Sequence, residues 1–306
     1  MIAVFGHRGA RGLLPENTLA GFALAEHLNL TGVELDIAVT ADGVAVAHHD
    51  PRLNPDIARD NSGAYVGGDA PFIGALTFQQ ISTYDVGRLR VGSAYAKRFA
   101  EQMPVQGARI PALGDILAAS TALNFLVEIK TYPDRPDATL APKFLAAKVV
   151  RVLRRANRIG NAMLLAFDWR VLEEAAMLEP ALPRCCLTAP ETVANADLWF
   201  GKTRIAAFGG SLPRAVASTG AKAWAPFHEG LQAAEMDEAQ RLGLAVIPWT
   251  VNEVKDIHRM IDFGVDGIIS DRPDRVRDIL AERGLEMAPP GFAAGSGGRI
   301  KPPLKQ

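Results

Sequence analysis

Gly32-Val33-Glu34-Leu35-Asp36-Ile37 alternates aliphatic and acidic side chains. On a strand, residues two apart share a face, so Glu34 and Asp36 project together while Val33, Leu35 and Ile37 turn the other way. The same rule puts Glu128 and Lys130 of Phe125-Leu126-Val127-Glu128-Ile129-Lys130 on one face of another strand. Outward from these two segments, short runs rich in Val, Ile, Leu and Phe alternate with longer amphipathic stretches as far as about Arg283. That is the rhythm of βα units around a parallel sheet. Strands are expected near 2–6, 32–37, 124–130, 162–167, 182–187, 222–226, 245–250 and 266–270. Helices are expected at 17–28, capped by Asn17 or Thr18, and at 138–157, 169–178, 231–242, 253–262 and 273–283. Eight such units close as an α/β fold of the TIM (β/α)₈ barrel type.

The run at 44–48 follows the preceding strand after only Thr40-Ala41-Asp42-Gly43, too short for a parallel crossover. An Asp-Gly turn predicts a hairpin at the barrel rim that folds back and returns His49 to the level of Asp36. From 51 to 109 the pattern breaks into prolines and glycines, with one helix expected at 77–84. This stretch reads as a small insertion capping the site. Residues 1–286 are thus expected to form the barrel domain, and 287–306, rich in Pro, Gly, Ser and Lys, a disordered tail.

Bulk composition narrows the function classes. The 306 residues carry 33 Lys and Arg against 34 Asp and Glu, without a basic stripe for nucleic acid or a polybasic arm for a membrane. No apolar run approaches the ~18 residues of a membrane span, and the chain opens without a basic leader region. Small-molecule partners and a cytoplasmic location are the expectation; oligomeric state is left open. The two cysteines, Cys185 and Cys186, are adjacent and read as small buried strand residues in a reducing compartment.

His7 and His49 each end a short apolar run, Ile2-Ala3-Val4-Phe5 and Val44-Ala45-Val46-Ala47, so each imidazole is delivered by a strand terminus. Barrel enzymes keep their chemistry at such ends. Histidine titrates near neutrality, which lets one imidazole accept a proton while the other donates. Glu34, Asp36 and Glu128, crowded together, repel unless a cation lies among them, and an all-oxygen set favours Mg²⁺ or Ca²⁺ over zinc. The alternative is buried salt bridges to Arg8 and Lys130 with no metal. Alternation turns His48 away from the site, and His27, His228 and His258 read as surface or packing residues. Trp249 and Phe167, at strand ends, are candidate pocket walls. Asp271, before Pro273, reads as a helix cap rather than a catalytic group. Gly6, Gly9 and Gly12 lack the spacing of a dinucleotide fingerprint.

Taken together, Gly6-His7-Arg8-Gly9, Pro15-Glu16-Asn17-Thr18, Glu34-Leu35-Asp36, His49-Asp50, Glu128-Ile129-Lys130, Trp249-Thr250-Val251-Asn252 and Gly267-Ile268-Ile269-Ser270-Asp271 resemble the glycerophosphodiester phosphodiesterase family. The resemblance spans about Met1 to Arg283. It implies a TIM-barrel hydrolase that uses a divalent cation to convert a glycerophosphodiester and water to sn-glycerol 3-phosphate and an alcohol. It also implies that His7 and His49 are the catalytic pair, that Glu34, Asp36 and Glu128 hold the metal, and that Arg8 and Lys130 contact the phosphate. Ala166 and Ala112 stand where the family often has serine and threonine, which bears on substrate detail. Three other readings compete: a phosphodiesterase of lysophospholipase D type with an apolar entrance from Phe72, Ile73, Leu76 and Phe78, a non-catalytic ligand-binding barrel, and a metal-dependent lyase.

Overall fold

The strands are β1 (Ala3–Gly6), β2 (Gly32–Val39), β3 (Ala45–Ala47), β4 (Asn124–Ile129), β5 (Ala162–Ala166), β6 (Arg184–Thr188), β7 (Ala223–Pro226), β8 (Ala245–Val246) and β9 (Gly267–Ser270), in a computed structural model that describes residues 1–290. Eight of them run side by side in the order β8-β7-β6-β5-β4-β2-β1-β9, all pairs parallel. The ring closes through backbone hydrogen bonds from Asp266 to Val246 (3.0 Å), Ile269 to Pro248 (3.0 Å) and Val251 to Ile269 (3.0 Å). This is the (β/α)₈ TIM barrel that the strand rhythm predicts. The run expected at 245–250 is a regular strand only over Ala245–Val246, and past Pro248, which has no N–H to donate, the pairing continues as a single bridge from Trp249 to Phe227.

Alternation sorts the core into two layers. Val33, Leu35, Ile37, Phe125, Val127 and Ile129 pack outward under the helices. Ala3, Phe5, Leu126, Leu165, Cys185, Ala225 and Ile269 fill the barrel interior. Glu34, Asp36 and Glu128 occupy the inward register above that filling, with Asp36 directly opposite Glu128 on the neighbouring strand. They therefore lie near the carboxyl ends of the strands, the face on which barrel enzymes work.

The helices are α1 (Leu19–His27), α2 (Phe78–Ile81), α3 (Ala94–Arg98), α4 (Leu113–Ala119), α5 (Pro142–Arg155), α6 (Trp169–Leu178), α7 (Pro190–Ala194), α8 (Ala196–Trp199), α9 (Leu212–Ser218), α10 (Ala233–Arg241), α11 (Val254–Phe263) and α12 (Pro273–Glu282). Thr18, not Asn17, caps α1, accepting a hydrogen bond from the Gly21 amide. The crossover helix α4 has no counterpart among the expected helices. Its N-cap is Ala112, whose side chain has no oxygen to cap with, so the usual start signal is missing.

The hairpin forms as expected: β3 pairs antiparallel with β2, Ala47 opposite Ile37, and the His48 amide donates to the Asp36 carbonyl at 2.9 Å. The segment 51–109 builds a small core of its own on this hairpin, from Val46, Leu53, Ile57, Ile73, Ile81, Val86 and Ile110. Of the apolar entrance expected from Phe72, Ile73, Leu76 and Phe78, Ile73 is fully buried and Leu76 and Phe78 pack on that small core, whereas Phe72, under the Arg52 guanidinium at 3.7 Å, lines a cavity shared with His49, Asp50 and Tyr132. The chain also stays packed past 286: Met287 bridges Ile2, and Ala288 is buried with its amide bonded to the Ile2 carbonyl at 2.9 Å. The rest of the expected tail, 291–306, lies outside the described residues.

Candidate active site

The turn after β1 carries the densest group of functional side chains. Arg8 adopts a left-handed backbone (φ 51°), which aims its amide at the Glu34 carboxylate, 3.1 Å away. Its guanidinium reaches Glu16 at 2.9 Å and Asp36 at 3.0 Å. Lys130, on the face predicted for it, sits 2.9 Å from Asp36 and 2.5 Å from Glu128. The Arg8 Nε and Lys130 approaches to Asp36 are close but poorly aligned, so they act as ionic contacts rather than directed hydrogen bonds. Asn17, also left-handed (φ 52°), donates to Asp36 at 2.9 Å. The PENT turn therefore serves the acids as well as the helix that follows it.

Oxygens of Glu34, Asp36 and Glu128 all lie within 4.8 Å of one another, and all three residues are buried. Burial raises the Glu34 pKa well above the carboxylate range, helped by the Asp36 and Glu128 charges. Glu128 is raised too, by burial and by Asp36, with Lys130 opposing. Burial also works against the Asp36 charge, but Arg8 and Lys130 outweigh it and hold that carboxyl well below its usual range. Glu34, Asp36 and Glu128 thus share two cations, Arg8 and Lys130, and Arg8 is also engaged by Glu16. Glu34 keeps one oxygen, Oε1, buried with no hydrogen-bond or ionic partner. A buried orphan acceptor among three acids, two of which burial drives toward holding a proton, fits a hard divalent cation in place of those protons, and the donor set is all oxygen. The salt bridges of the metal-free alternative do exist at Asp36 and Glu128, but neither Arg8 nor Lys130 makes one to Glu34.

Two imidazoles flank this cluster, and the charge of each is felt at Asp36. His7 Nδ1 lies 2.6 Å from Asp271, and its Nε2 faces Glu34 at 3.7 Å. His49 Nδ1 lies 2.8 Å from Asp50, which Asn54 steadies at 2.8 Å, and Tyr132 donates to the His49 carbonyl. A carboxylate at Nδ1 fixes the ring and leaves Nε2 for the site. Both rings have pKa values lowered to about 4. Burial is the main cause in each, followed by Arg11 for His7 and by Lys130 and Arg8 for His49. Phe167 and Trp249 meet edge to face, 5.2 Å between centroids, and the Lys130 ammonium lies 5.9 Å from the Phe167 ring. Trp199 and Phe227, not singled out in the sequence, extend this half-buried aromatic wall.

Asp271 is the main correction at the site. It caps nothing: the N-cap of α12 is Arg272, without a side-chain cap bond. Instead Asp271, 1 % exposed, accepts from Arg11 at 2.8 Å and Asn252 at 2.8 Å besides holding His7. A signal for this lay in the barrel itself. Gly6 pairs with Ser270 where the first and last strands meet, so the residues that follow, His7 and Asp271, emerge side by side. Arg11 and Tyr95 were likewise missed, since neither belongs to a strand-end pattern. His48 turns away as predicted and reaches the Arg52 carbonyl at 3.0 Å, and His228 is a buried packing residue beside Arg259.

Residues 7–275 match the model of the glycerophosphoryl diester phosphodiesterase family. A glycerophosphodiester phosphodiesterase of Caldanaerobacter subterraneus subsp. tengcongensis is 27 % identical over 286 residues, 92 % of this chain and 98 % of that one. A solved structure from Silicibacter pomeroyi, assigned as a glycerophosphoryl diester phosphodiesterase, superposes with a TM-score of 0.85 at 36 % identity, covering 94 % of this chain and 95 % of the other. An Oleispira antarctica phosphodiesterase, solved with the product sn-glycerol-3-phosphate, shares the fold with a TM-score of 0.68 at 18 % identity, covering 91 % and 96 %. With its model matched across nearly the whole barrel, the chain belongs to the glycerophosphoryl diester phosphodiesterase family.

Proposed function

We propose that this protein hydrolyses small glycerophosphodiesters to sn-glycerol 3-phosphate and an alcohol. His7 and His49 are the acid–base pair, and Glu34, Asp36 and Glu128 hold a Mg²⁺ or Ca²⁺ ion. The observation that carries this reading is the orphaned Glu34 oxygen in a three-acid cluster between two imidazoles, each steadied at Nδ1 by a carboxylate. Bound there, the cation would supply Lewis-acid neutralisation of the phosphate charge.

The chain's own groups account for the rest. A diester anion repels nucleophiles, and Arg8 and Lys130 offset that charge as it builds. Both have donors to spare: Lys130 donates one hydrogen bond, to Glu128, and meets Asp36 as an ionic contact, and the Arg8 contacts leave part of its five-donor fork free. Phe167 and Trp249 wall the pocket beside Lys130. One neutral imidazole takes the proton of the attacking oxygen, and the other protonates the leaving alkoxide. An anionic diester on Arg8 and Lys130 also cancels two of the charges that depress His49, so substrate binding favours the protonated form needed of an acid. Attack by the substrate's own 2-hydroxyl and attack by water each need one base and one acid. A rapid quench that detects a 1,2-cyclic glycerophosphate selects the first.

The test is release of glycerol 3-phosphate from glycerophosphocholine by the purified protein, with and without EDTA. Activity should vanish with chelation and return with Mg²⁺ or Ca²⁺. Glu34→Gln and Glu128→Gln should raise the metal concentration required by at least the ~10–100-fold typical of residues that merely support a ligand. Hydrolysis indifferent to EDTA and to both changes would refute the metal assignment. Of the apolar entrance that a lysophospholipase D needs, only Phe72 lines the cavity beside His49, so lysophosphatidylcholine should be the poorer substrate in the same assay.

A further inference from the structure

Segment 51–109 reaches the charged side chains after β1 through α3 and the residues just beyond it. Ser93 caps α3 by accepting from the Ala96 amide, and the helix presents Tyr95 to the barrel mouth. The Tyr95 hydroxyl bridges two groups that otherwise meet only as a loose ion pair, Glu16 and Arg11, 3.9 Å apart. It donates to Glu16 and accepts from Arg11 Nη1 at 3.2 Å. Glu16 is the partner of Arg8, which in turn contacts Asp36. Arg11 grips Asp271 at 2.8 and 3.2 Å and approaches His7 Nδ1 at 3.2 Å. The same segment seats Arg11 twice more, with the Phe99 ring 4.6 Å from its guanidinium and Gln102 donating to its carbonyl at 2.7 Å.

Resting on the hydrolase reading above, we propose that Tyr95 is a positioning residue: its hydroxyl bridges Glu16 and Arg11 and so fixes the phosphate-binding Arg8 and the His7–Asp271 pair against each other. The physical reason is competition for Arg11. Glu16 lies 3.9 Å from Arg11 Nη1, and the tyrosine oxygen stands between them as acceptor for one and donor for the other. Without that oxygen the guanidinium and the carboxylate are free to close on each other. Arg11 then draws away from Asp271, and Glu16 loosens its hold on Arg8. Both halves of the machinery shift although neither loses a catalytic group, and misplacement on that scale is costly in rate.

Tyr95→Phe tests this, because phenylalanine keeps the edge-to-face packing on Phe99 (4.9 Å between centroids) and deletes only the oxygen. We expect kcat and kcat/KM to fall together by about tenfold, KM to stay within about twofold, and the melting temperature to be preserved, the pattern of a contact that matters in the transition state. In Glu16→Gln the further change Tyr95→Phe should add little, since the bridge is already broken. An active wild type with Tyr95→Phe equally active overturns the inference and leaves the hydrolase reading standing. So does a loss matched by a lower melting temperature, or a loss that adds in full to that of Glu16→Gln. A wild type with no diesterase activity under any metal overturns the hydrolase reading and this inference with it.

Discussion

The two sides of the barrel mouth hold their histidines by the same contact in different settings. His7 is 9 % exposed, and the carboxylate at its Nδ1 belongs to Asp271, 264 positions away and almost fully buried. The His49 side chain is 33 % exposed, and the carboxylate at its Nδ1 is its sequence neighbour Asp50, 37 % exposed. A charge-assisted hydrogen bond is worth about 1.5–3 kcal/mol, and partial solvent access lowers that. The His7 side is therefore a rigid assembly that depends on barrel closure, and the His49 side a local, part-buried one.

The largest test of this contrast removes the rings. His7→Ala and His49→Ala should each lower kcat by about 10²–10⁴ while the melting transition persists, read by glycerol 3-phosphate release and circular dichroism. A His49→Ala protein with substantial turnover would reduce the pair to a single working histidine. The orienting carboxylates sharpen the comparison. Asp271→Asn should cost roughly 10–100-fold in kcat and Asp50→Asn less than about tenfold, in keeping with the difference in burial. Equal losses would remove the distinction.

The smallest effect is a pH dependence of stability. Burial works against the Asp271 charge, but Arg11 and His7 outweigh it and hold the carboxyl well below its normal range. A carboxyl depressed on folding stabilises the protein fully above its unfolded pKa of about 3.9, and that contribution is lost as pH falls through the folded value. The gap in melting temperature between wild type and Asp271→Asn should thus be widest near neutrality and narrow below about pH 4. A gap that widens on acidification would mean that Asp271 is not charged in the fold.

Much of this site is legible in the sequence, for reasons particular residues make plain. Glu34, Asp36 and Glu128 announce themselves because acids rarely sit in aliphatic strands, and their convergence follows from a spacing of two. His49-Asp50 is a dyad written in adjacent letters. Asp271 was misread because a residue just before a helix-starting proline resembles a cap, and local context outweighed the pairing of the first and last strands. α4 went unseen because Ala112 carries no capping oxygen. Of the apolar residues at 72–78, Phe72 lines the cavity beside His49 while Ile73, Leu76 and Phe78 enter a core, a division that cannot be read from a segment without periodicity.

By itself the sequence determined the strands, the inward turn of the acids, the reversal that returns His49 and the kinds of groups available for chemistry. Each depends only on the geometry of a few consecutive residues. The tertiary structure alone decided who partners whom: Asp271 with His7, Arg8 with Glu16 and Asp36, Tyr95 with Arg11. Those contacts join residues from 8 to 264 positions apart, and they exist because closing the barrel sets β1 against β9 and packs segment 51–109 over the turn after β1.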